Sequence, residues 1–329
     1  MSVVYITQQG AVLGKEGERL RVSHEGVTLL DQPLIHVSQV VLFGNVTVTA
    51  PAASILLKRQ IAVVFLSIHG RYKGRLQPEC SQTVDVRRRQ YLLAVDPLFC
   101  LQIARALIRG KMHNAAQFCL RQRQRPLEGE RVLQKLQQLE RQAAQAEHLE
   151  ALRGYEGMAA AEYFALYRQF LKQDLGFTHR VKHPPTDPVN VLLSLGYTLL
   201  FNNVHAMVHV VGLDPYQGFF HSERSGHAAL VSDLMEEFRS LIVDSVVLWV
   251  VNKNIMTWED FTGRGEGLAL KPEGLKKFLK HYEDRLQTRI FHPAVGGRVT
   301  YLQAIEQQAW LLVRVLRQET AAYQSFTLS

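Results

Sequence analysis

Ile61-Ala62-Val63-Val64-Phe65-Leu66 and, beyond Pro78, Val84-Asp85-Val86-Arg87-Arg88-Arg89-Gln90-Tyr91-Leu92-Leu93 follow two different periods. The first is a short β-branched run of the kind that forms a strand. The second opens a series of long segments in which apolar residues recur three and four apart, the spacing of a helix face. The change at Pro78 predicts an α+β protein: an N-terminal, mostly antiparallel β domain over 1–82, followed by a larger all-α domain over 83–329.

Working back from Ile61, further strand-like runs occupy Val3 to Thr7, Leu20 to Val22, Val27 to Leu30 and Gln39 to Phe43, with turns around Gly14 to Gly17 and at Glu25-Gly26. Only Pro51 to Arg59 interrupts them, and a proline there suits the first turn of a short helix packed on the sheet. Working forward, helical periodicity marks Val84 to Leu107, Lys111 to Arg123, Gly129 to Gly154, Met158 to Gln173, Pro188 to Gly212, Ala228 to Val251, Pro272 to Leu286 and Tyr301 to Tyr323. There is no repeat of 20 to 50 residues. The Gln-rich part of Gln134 to Gln145 is mixed with Leu, Arg and Glu at helical spacing and reads as a solvated helix.

At 329 residues the chain is long enough for two cores. Its 38 Lys and Arg exceed its 30 Asp and Glu, a balance that favours a polyanionic partner. Cys80, Cys100 and Cys119 form neither a CxxC pair nor a Cys/His cluster, so a zinc knuckle and a disulfide framework are both disfavoured and a reducing cytoplasm is expected. The opening Met1-Ser2-Val3-Val4-Tyr5 lacks a signal-peptide pattern. The longest apolar stretch, Val189 to Leu213, is broken by Asn202, Asn203, His205 and His209, and no membrane span is expected.

Two features carry chemistry. On a helix expected to begin near Tyr155, Glu156 shares a stripe with Ala159, Ala160, Tyr163, Leu166, Tyr167 and Phe170. A carboxylate turned toward an apolar face is costly without a cation or several donors, which makes Glu156 either a metal ligand or an Arg-paired or capping glutamate near a helix start. In the second, Gly218-Phe219-Phe220-His221 precedes a helix whose first turns carry Asp233 and Glu236. Residues three apart on a helix face lie roughly 5 to 6 Å from each other, so these carboxylates either aim at a shared cation or belong, with Glu237, to an exposed acidic face. Oxygen ligands with one imidazole suit Mg²⁺ or Mn²⁺.

Basic residues gather elsewhere. Arg71, Lys73 and Arg75 close the strand part, Arg87, Arg88 and Arg89 open the helical part, and Arg105, Arg109, Lys111, Arg121, Arg123 and Arg125 follow, with Asp96 the one acid between Ala94 and Leu127. Such a run fits a phosphate backbone; the competing reading is a solvated helix face. His183, His205, His209 and His281 read as structural.

Four ordered blocks resemble one family: Leu152-Arg153-Gly154-Tyr155-Glu156-Gly157-Met158-Ala159-Ala160, Asp187-Pro188-Val189-Asn190-Val191-Leu192-Leu193-Ser194-Leu195-Gly196-Tyr197, Gly212-Leu213-Asp214-Pro215-Tyr216-Gln217-Gly218-Phe219-Phe220-His221, and Asp233-Leu234-Met235-Glu236-Glu237-Phe238-Arg239. They are similar to the motifs of the CRISPR-associated spacer-acquisition integrase, the first of the core Cas proteins. Gln39 to Val46 and Gly74-Arg75-Leu76 resemble that family's β domain, which extends the likeness over essentially the whole chain.

The resemblance implies a metal-dependent DNA endonuclease and strand-transferase of CRISPR adaptation. It implies a homodimer that joins the small second Cas protein on a short double-stranded DNA, whose 3′-hydroxyls attack the repeat array. By matching motifs, Glu156, His221 and Glu236 stand at metal-ligand positions; Glu236 stands where an aspartate is common and adds a methylene, and Asp233 joins them as a direct or an indirect participant. Arg75, Arg87, Arg105, Arg109, Lys111, Asn190 and Tyr197 are the residues expected to meet DNA, although Lys111 with Asn114 also reads as the cap of a helix junction and Tyr197 as a core tyrosine. Ser240 and Ser225-Gly226-His227 depart from the family pattern, changes read as neutral to the site. The competing functions are a nuclease for branched DNA and a DNA-binding scaffold without catalysis.

Overall fold

A computed structural model describes residues 2–79, 84–122, 129–182, 184–222 and 224–328, apart from the Glu266 side chain. Cys80, Arg123, Arg125, His183 and the boundary expected at residue 82 lie outside the described residues.

The N-terminal part runs β1 (Ser2–Ile6), β2 (Ala11–Glu16), β3 (Arg19–His24), β4 (Val27–Pro33), β5 (Val37–Phe43), β6 (Val46–Val48), α1 (Ala50–Lys58), β7 (Ala62–Leu66) and β8 (Tyr72–Leu76). They form two four-stranded sheets, ordered β1-β5-β7-β8 and β4-β3-β2-β6. The expected antiparallel pairing joins β2 to β3, β3 to β4 and β7 to β8, whereas β1, β5 and β7 run parallel and β6 lies parallel to β2. The mixture has a visible cause. β5 and β7 are nearly continuous apolar runs buried on both faces, the mark of parallel strands, and α1 supplies the crossover between them. Thr49 caps α1, accepting from the Ala52 amide, and a proline occupies the first turn.

Alternation along β5 and β7 separates two cores. Val40, Leu42 and Val63 face Leu13, Leu20, Ala52 and Leu56, while Val41, Phe43 and Val64 pack with the helical part. Burying a side chain such as Leu13 or Phe43 contributes roughly 1.5–3 kcal/mol.

The helical part contains α2 (Val84–Ala94), α3 (Pro97–Leu120), α4 (Gly129–Ala144), α5 (Leu149–Phe170), α6 (Pro188–Val210), α7 (Ala229–Met235) and α8 (Ser245–Asn252). A ribbon of β9 (Phe261–Thr262) and β10 (Ala269–Leu270) comes next, then α9 (Pro272–Leu286), a second ribbon of β11 (Arg289–His292) and β12 (Gly297–Thr300), and α10 (Tyr301–Leu316). Both ribbons lie within the part expected to be all-α. The expected helix from Val84 to Leu107 breaks at Asp96, whose side chain caps α3 by accepting from the Leu98 amide at 2.9 Å. α3 then continues through Gly110, where a break was expected. A Cβ there would meet Ser325 Cβ at 2.4 Å, so this glycine serves close packing.

Central α6 is, among the described residues, the single helix long and apolar enough to cross a membrane, and 78% of its apolar window is buried in the protein. The polar residues that argued against a span fasten it to the first sheet. Gln39 Nε2 donates to the Asn202 carbonyl at 3.1 Å, and Asn203 Nδ2 donates to Gln39 Oε1 at 3.0 Å.

Candidate metal centre

Glu156 reaches the site from the third turn of α5, since the helix starts at Leu149 and not near Tyr155. His148 caps it, its Nδ1 accepting from the Ala151 amide at 3.1 Å, and the earlier start places Glu156 beyond the helix N-terminus whose dipole would have favoured it. Ala159, Tyr163, Leu166, Tyr167 and Phe170 are buried as the stripe required, and the half-buried Glu156 carboxylate sits at its open end.

The expected helix from Ala228 to Val251 is not uniform. α7 ends at Met235, Glu236–Phe238 wind into a tight 3-10 turn, and Arg239–Asp244 relax into a π-helical turn before α8 resumes. Such irregular turns re-aim side chains. Asp233, Glu236 and Glu237 are therefore buried in three directions instead of forming an exposed acidic face. Glu237 turns inward, accepting from Tyr323 Oη at 2.6 Å, the Phe326 amide at 2.7 Å and Gln308 Nε2 at 2.8 Å, and burial pushes its carboxyl up to about 8.

Asp233 holds the loop that carries His221. Its carboxylate accepts from the amides of Phe219 at 2.6 Å, His221 at 2.9 Å and Phe220 at 3.1 Å, and from His221 Nδ1 at 2.7 Å. Gly218 permits this approach, because a Cβ there would fall 2.8 Å from Asp233 Oδ2. Arg153 secures the loop from α5, donating to the Phe220 carbonyl at 2.9 Å. With Nδ1 engaged by Asp233, Nε2 is left facing Glu236 Oε1 at 3.8 Å.

Glu236 is 4% exposed and lies among cations: Lys111 Nζ is 2.7 Å from its Oε2 and Arg239 Nε is 3.0 Å away. Burial alone would raise its pKa, but Arg239, Lys111 and His221 together hold it at about 2. Lys111, from α3, also pairs with Glu156. Its own burial would lower the ammonium pKa, yet Glu236 and Glu156 raise it, so it stays charged.

Among the described residues, no three His, Cys, Asp and Glu side chains already stand at metal-holding distances. The donor set nevertheless fits a hard divalent ion. Two carboxylates from α5 and the 3-10 turn converge on one cationic nitrogen, and the His221 Nε2 faces the Glu236 carboxylate. The Lys111 ammonium occupies the point of convergence.

These groups line a cavity of about 1380 Å³ together with Arg71, Arg75, Arg180, Lys182, Tyr197, Arg239 and Asp244. Of the residues expected to meet DNA, Arg75, Lys111 and Tyr197 face this cavity. Arg87 bonds the Gly212 carbonyl at 3.0 Å, Arg105 bonds the Ala146 carbonyl at 2.7 Å, and Arg109 is exposed, so these three do not line it. Asn190 is a correction. It is fully buried, its amide bonded to Asp187 and the His179 carbonyl, and it presents nothing to a strand. Asn114 is likewise internal, joining the carbonyls of Glu237 and Phe326 at 2.9 and 2.8 Å. Arg180, Lys182 and Asp244 escaped sequence reasoning. Arg239 had a signal, its place three residues after Glu236.

A mixed β part leading into a helical part, whose large cleft is floored by carboxylates and imidazole and rimmed by arginines, defines a protein built to meet a polyanion beside an acid-rich centre. The model of the family "CRISPR associated protein Cas1" matches residues 4–284, and the chain belongs to that family. A CRISPR-associated endonuclease Cas1 of Thermus thermophilus is 37% identical over 330 residues, covering 100% of this chain and 98% of that protein. Among solved structures, a chain of a Cas6-RT-Cas1–Cas2 complex superposes with TM-score 0.84 at 26% identity, covering 98% of this chain but 36% of that longer one. A casposase bound to integration product superposes with TM-score 0.83 at 22% identity, covering 98% of this chain and 93% of that chain, a likeness of fold.

Proposed function

We propose that the chain is a divalent-metal-dependent DNA endonuclease and integrase of CRISPR adaptation, joining short foreign DNA to the repeat array. The observation that carries this is the convergence of Glu156 and Glu236 on one cation, with buried Asp233 holding His221 so that its Nε2 faces Glu236.

Glu156, Glu236 and His221 would hold Mg²⁺ or Mn²⁺, with Lys111 displaced toward the cleft; the ion would polarise a scissile phosphate and stabilise charge on the attacking and leaving oxygens. Asp233 contributes indirectly, by fixing the imidazole. Arg75, Arg180, Lys182 and Arg239 neutralise phosphates along the cleft. A 3′-hydroxyl of the short duplex forms a new bond to phosphorus as the bond to the leaving 3′-oxygen of the repeat strand breaks, and no covalent enzyme intermediate is needed. The part over 1–82 would serve dimerisation and DNA contact, and 83–329 the chemistry. The Cas1–Cas2 complex among the relatives supports the small second Cas protein as a partner. Work in the cytoplasm accords with three cysteines spaced without a CxxC or Cys/His pattern.

The test supplies a short duplex with free 3′ ends, a plasmid bearing a repeat array, the second Cas protein, and Mg²⁺ or Mn²⁺. Joined products are expected, and they vanish with Glu156→Ala or His221→Ala. Cleavage without joining would favour a branched-DNA nuclease. Function retained by Glu156→Ala would favour a scaffold.

A further inference from the structure

Asp244 closes the π-helical turn at 2% exposure, and phenols occupy both its carboxylate oxygens. Tyr197 Oη donates to Oδ1 at 2.5 Å and Tyr163 Oη to Oδ2 at 2.7 Å, while Tyr167 Oη donates to the Asp244 carbonyl at 3.0 Å. Burying a carboxylate is costly, and desolvation pushes this one up to about 6. An apolar side chain would fill the space at less expense, so the arrangement calls for another reason.

That reason lies on the cleft side of Tyr197. The Arg180 guanidinium carbon is 5.4 Å from the centre of its ring and that of Arg239 is 4.9 Å away, so one phenol organises two cations. Arg239 is anchored by Glu236. Arg180 bonds neutral acceptors, Asn190 Oδ1 at 2.9 Å and Ser194 Oγ at 3.1 Å, and has no salt-bridge partner among the described residues. Both arginines line the cavity that holds Glu156 and His221.

We propose that Asp244 is a positioning residue for a phosphodiester subsite: through Tyr197 it sets the Arg180 and Arg239 guanidiniums as a pair that grips one strand phosphate beside Glu236. The proposal rests on the nucleic-acid reading of the cleft. Planar guanidiniums fixed in this way bind phosphate with little loss of side-chain freedom.

The test compares the full chain with Asp244→Asn, Tyr197→Phe, their double variant and Arg180→Gln. Duplex affinity is read by anisotropy with a labelled short duplex, Mn²⁺ affinity by calorimetry without DNA, and strand joining as separate KM and kcat. Each single change is expected to weaken duplex binding about tenfold, the worth of one charge-assisted hydrogen bond. KM rises while Mn²⁺ affinity holds. The double variant loses no more than the weaker-binding single variant, because Asp244 acts through Tyr197. Additive losses, unchanged duplex affinity, or a parallel loss of Mn²⁺ affinity would each overturn the proposal. Should Asp244→Asn fail to fold, Tyr197→Phe and Arg180→Gln carry the same test through their own double variant. Inorganic phosphate displacing duplex equally from wild type and Arg180→Gln is expected; displacement selective for wild type would make this a free-phosphate site and overturn the strand assignment. A wild-type chain that binds no duplex at all would instead remove the functional reading beneath it.

Discussion

Lys111 Nζ lies 2.7 Å from Glu236 Oε2, and the same ammonium pairs with Glu156, so one lysine neutralises the two carboxylates that the proposed ion would take. Lysine and metal compete for the same oxygens. Lys111→Met is expected to lower the melting temperature in chelator, because two half-buried and buried carboxylates lose their partner, at a cost on the order of 3 kcal/mol. Added Mn²⁺ should restore more stability to the variant than to wild type, since binding to the folded state stabilises it. Thermal scans with and without Mn²⁺ check this; equal shifts in both proteins would remove Lys111 from the centre.

His221 depends on Asp233 for its direction. In Asp233→Asn the amide nitrogen can no longer accept, so some of the backbone amides of residues 219–221 lose their acceptor and the imidazole loses its anchor. Metal affinity is expected to fall roughly 10- to 100-fold, the usual consequence of removing such a partner. Calorimetry with Mn²⁺ measures it, and an unchanged affinity would mean that the imidazole does not ligate.

Gly218→Ala forces a methyl to within 2.8 Å of Asp233 Oδ2 and of Ala229 Cβ. Destabilisation of about 1–3 kcal/mol is expected, as for other overpacked sites, together with weaker Mn²⁺ binding as the loop shifts. Urea unfolding and calorimetry report the two effects. A variant of wild-type stability would show the loop to be more yielding than its contacts imply.

Asp244 predicts a pH dependence. Burial raises its carboxyl from 3.8 to about 6, against the hydrogen bonds of Tyr197 and Tyr163 and the charges of Arg239 and Arg180, which lower it. Between those two values the folded chain keeps a proton that the unfolded chain releases. This contribution to stability therefore falls as pH rises from about 4 to about 6, by roughly 2–3 kcal/mol at 1.36 kcal/mol per unit. Urea midpoints over that range, wild type against Asp244→Asn, isolate the effect; parallel curves for the two proteins would contradict it.

Much of the fold was legible because it follows from local periods. The β-branched runs up to Leu66 pointed to strands and the helical spacing beyond Pro78 to helices, though the β9-β10 and β11-β12 ribbons fall in the helical half, and the stripe on α5 turned Glu156 toward the site without reference to any partner. Helix ends were less legible. His148 starts α5 by capping it, a role seldom taken by histidine, and Gly110 interrupts nothing because its missing side chain admits Ser325. Parallel pairing of β1, β5 and β7 leaves a continuous apolar run, which reads as a strand but does not name its neighbour.

The sequence by itself determined the residue types of the site, their order and their placement on helices, since spacing along a helix settles which side chains share a face. Only the tertiary structure decided what each does there. Asp233 faces amides and imidazole instead of the cleft, Lys111 arrives from a helix 45 residues away to sit between Glu156 and Glu236, Asn190 is sealed inside, and the 3-10 and π turns separate Glu236 from Glu237. Those outcomes depend on contacts between elements distant in the chain, where burial and charge balance outweigh any local preference.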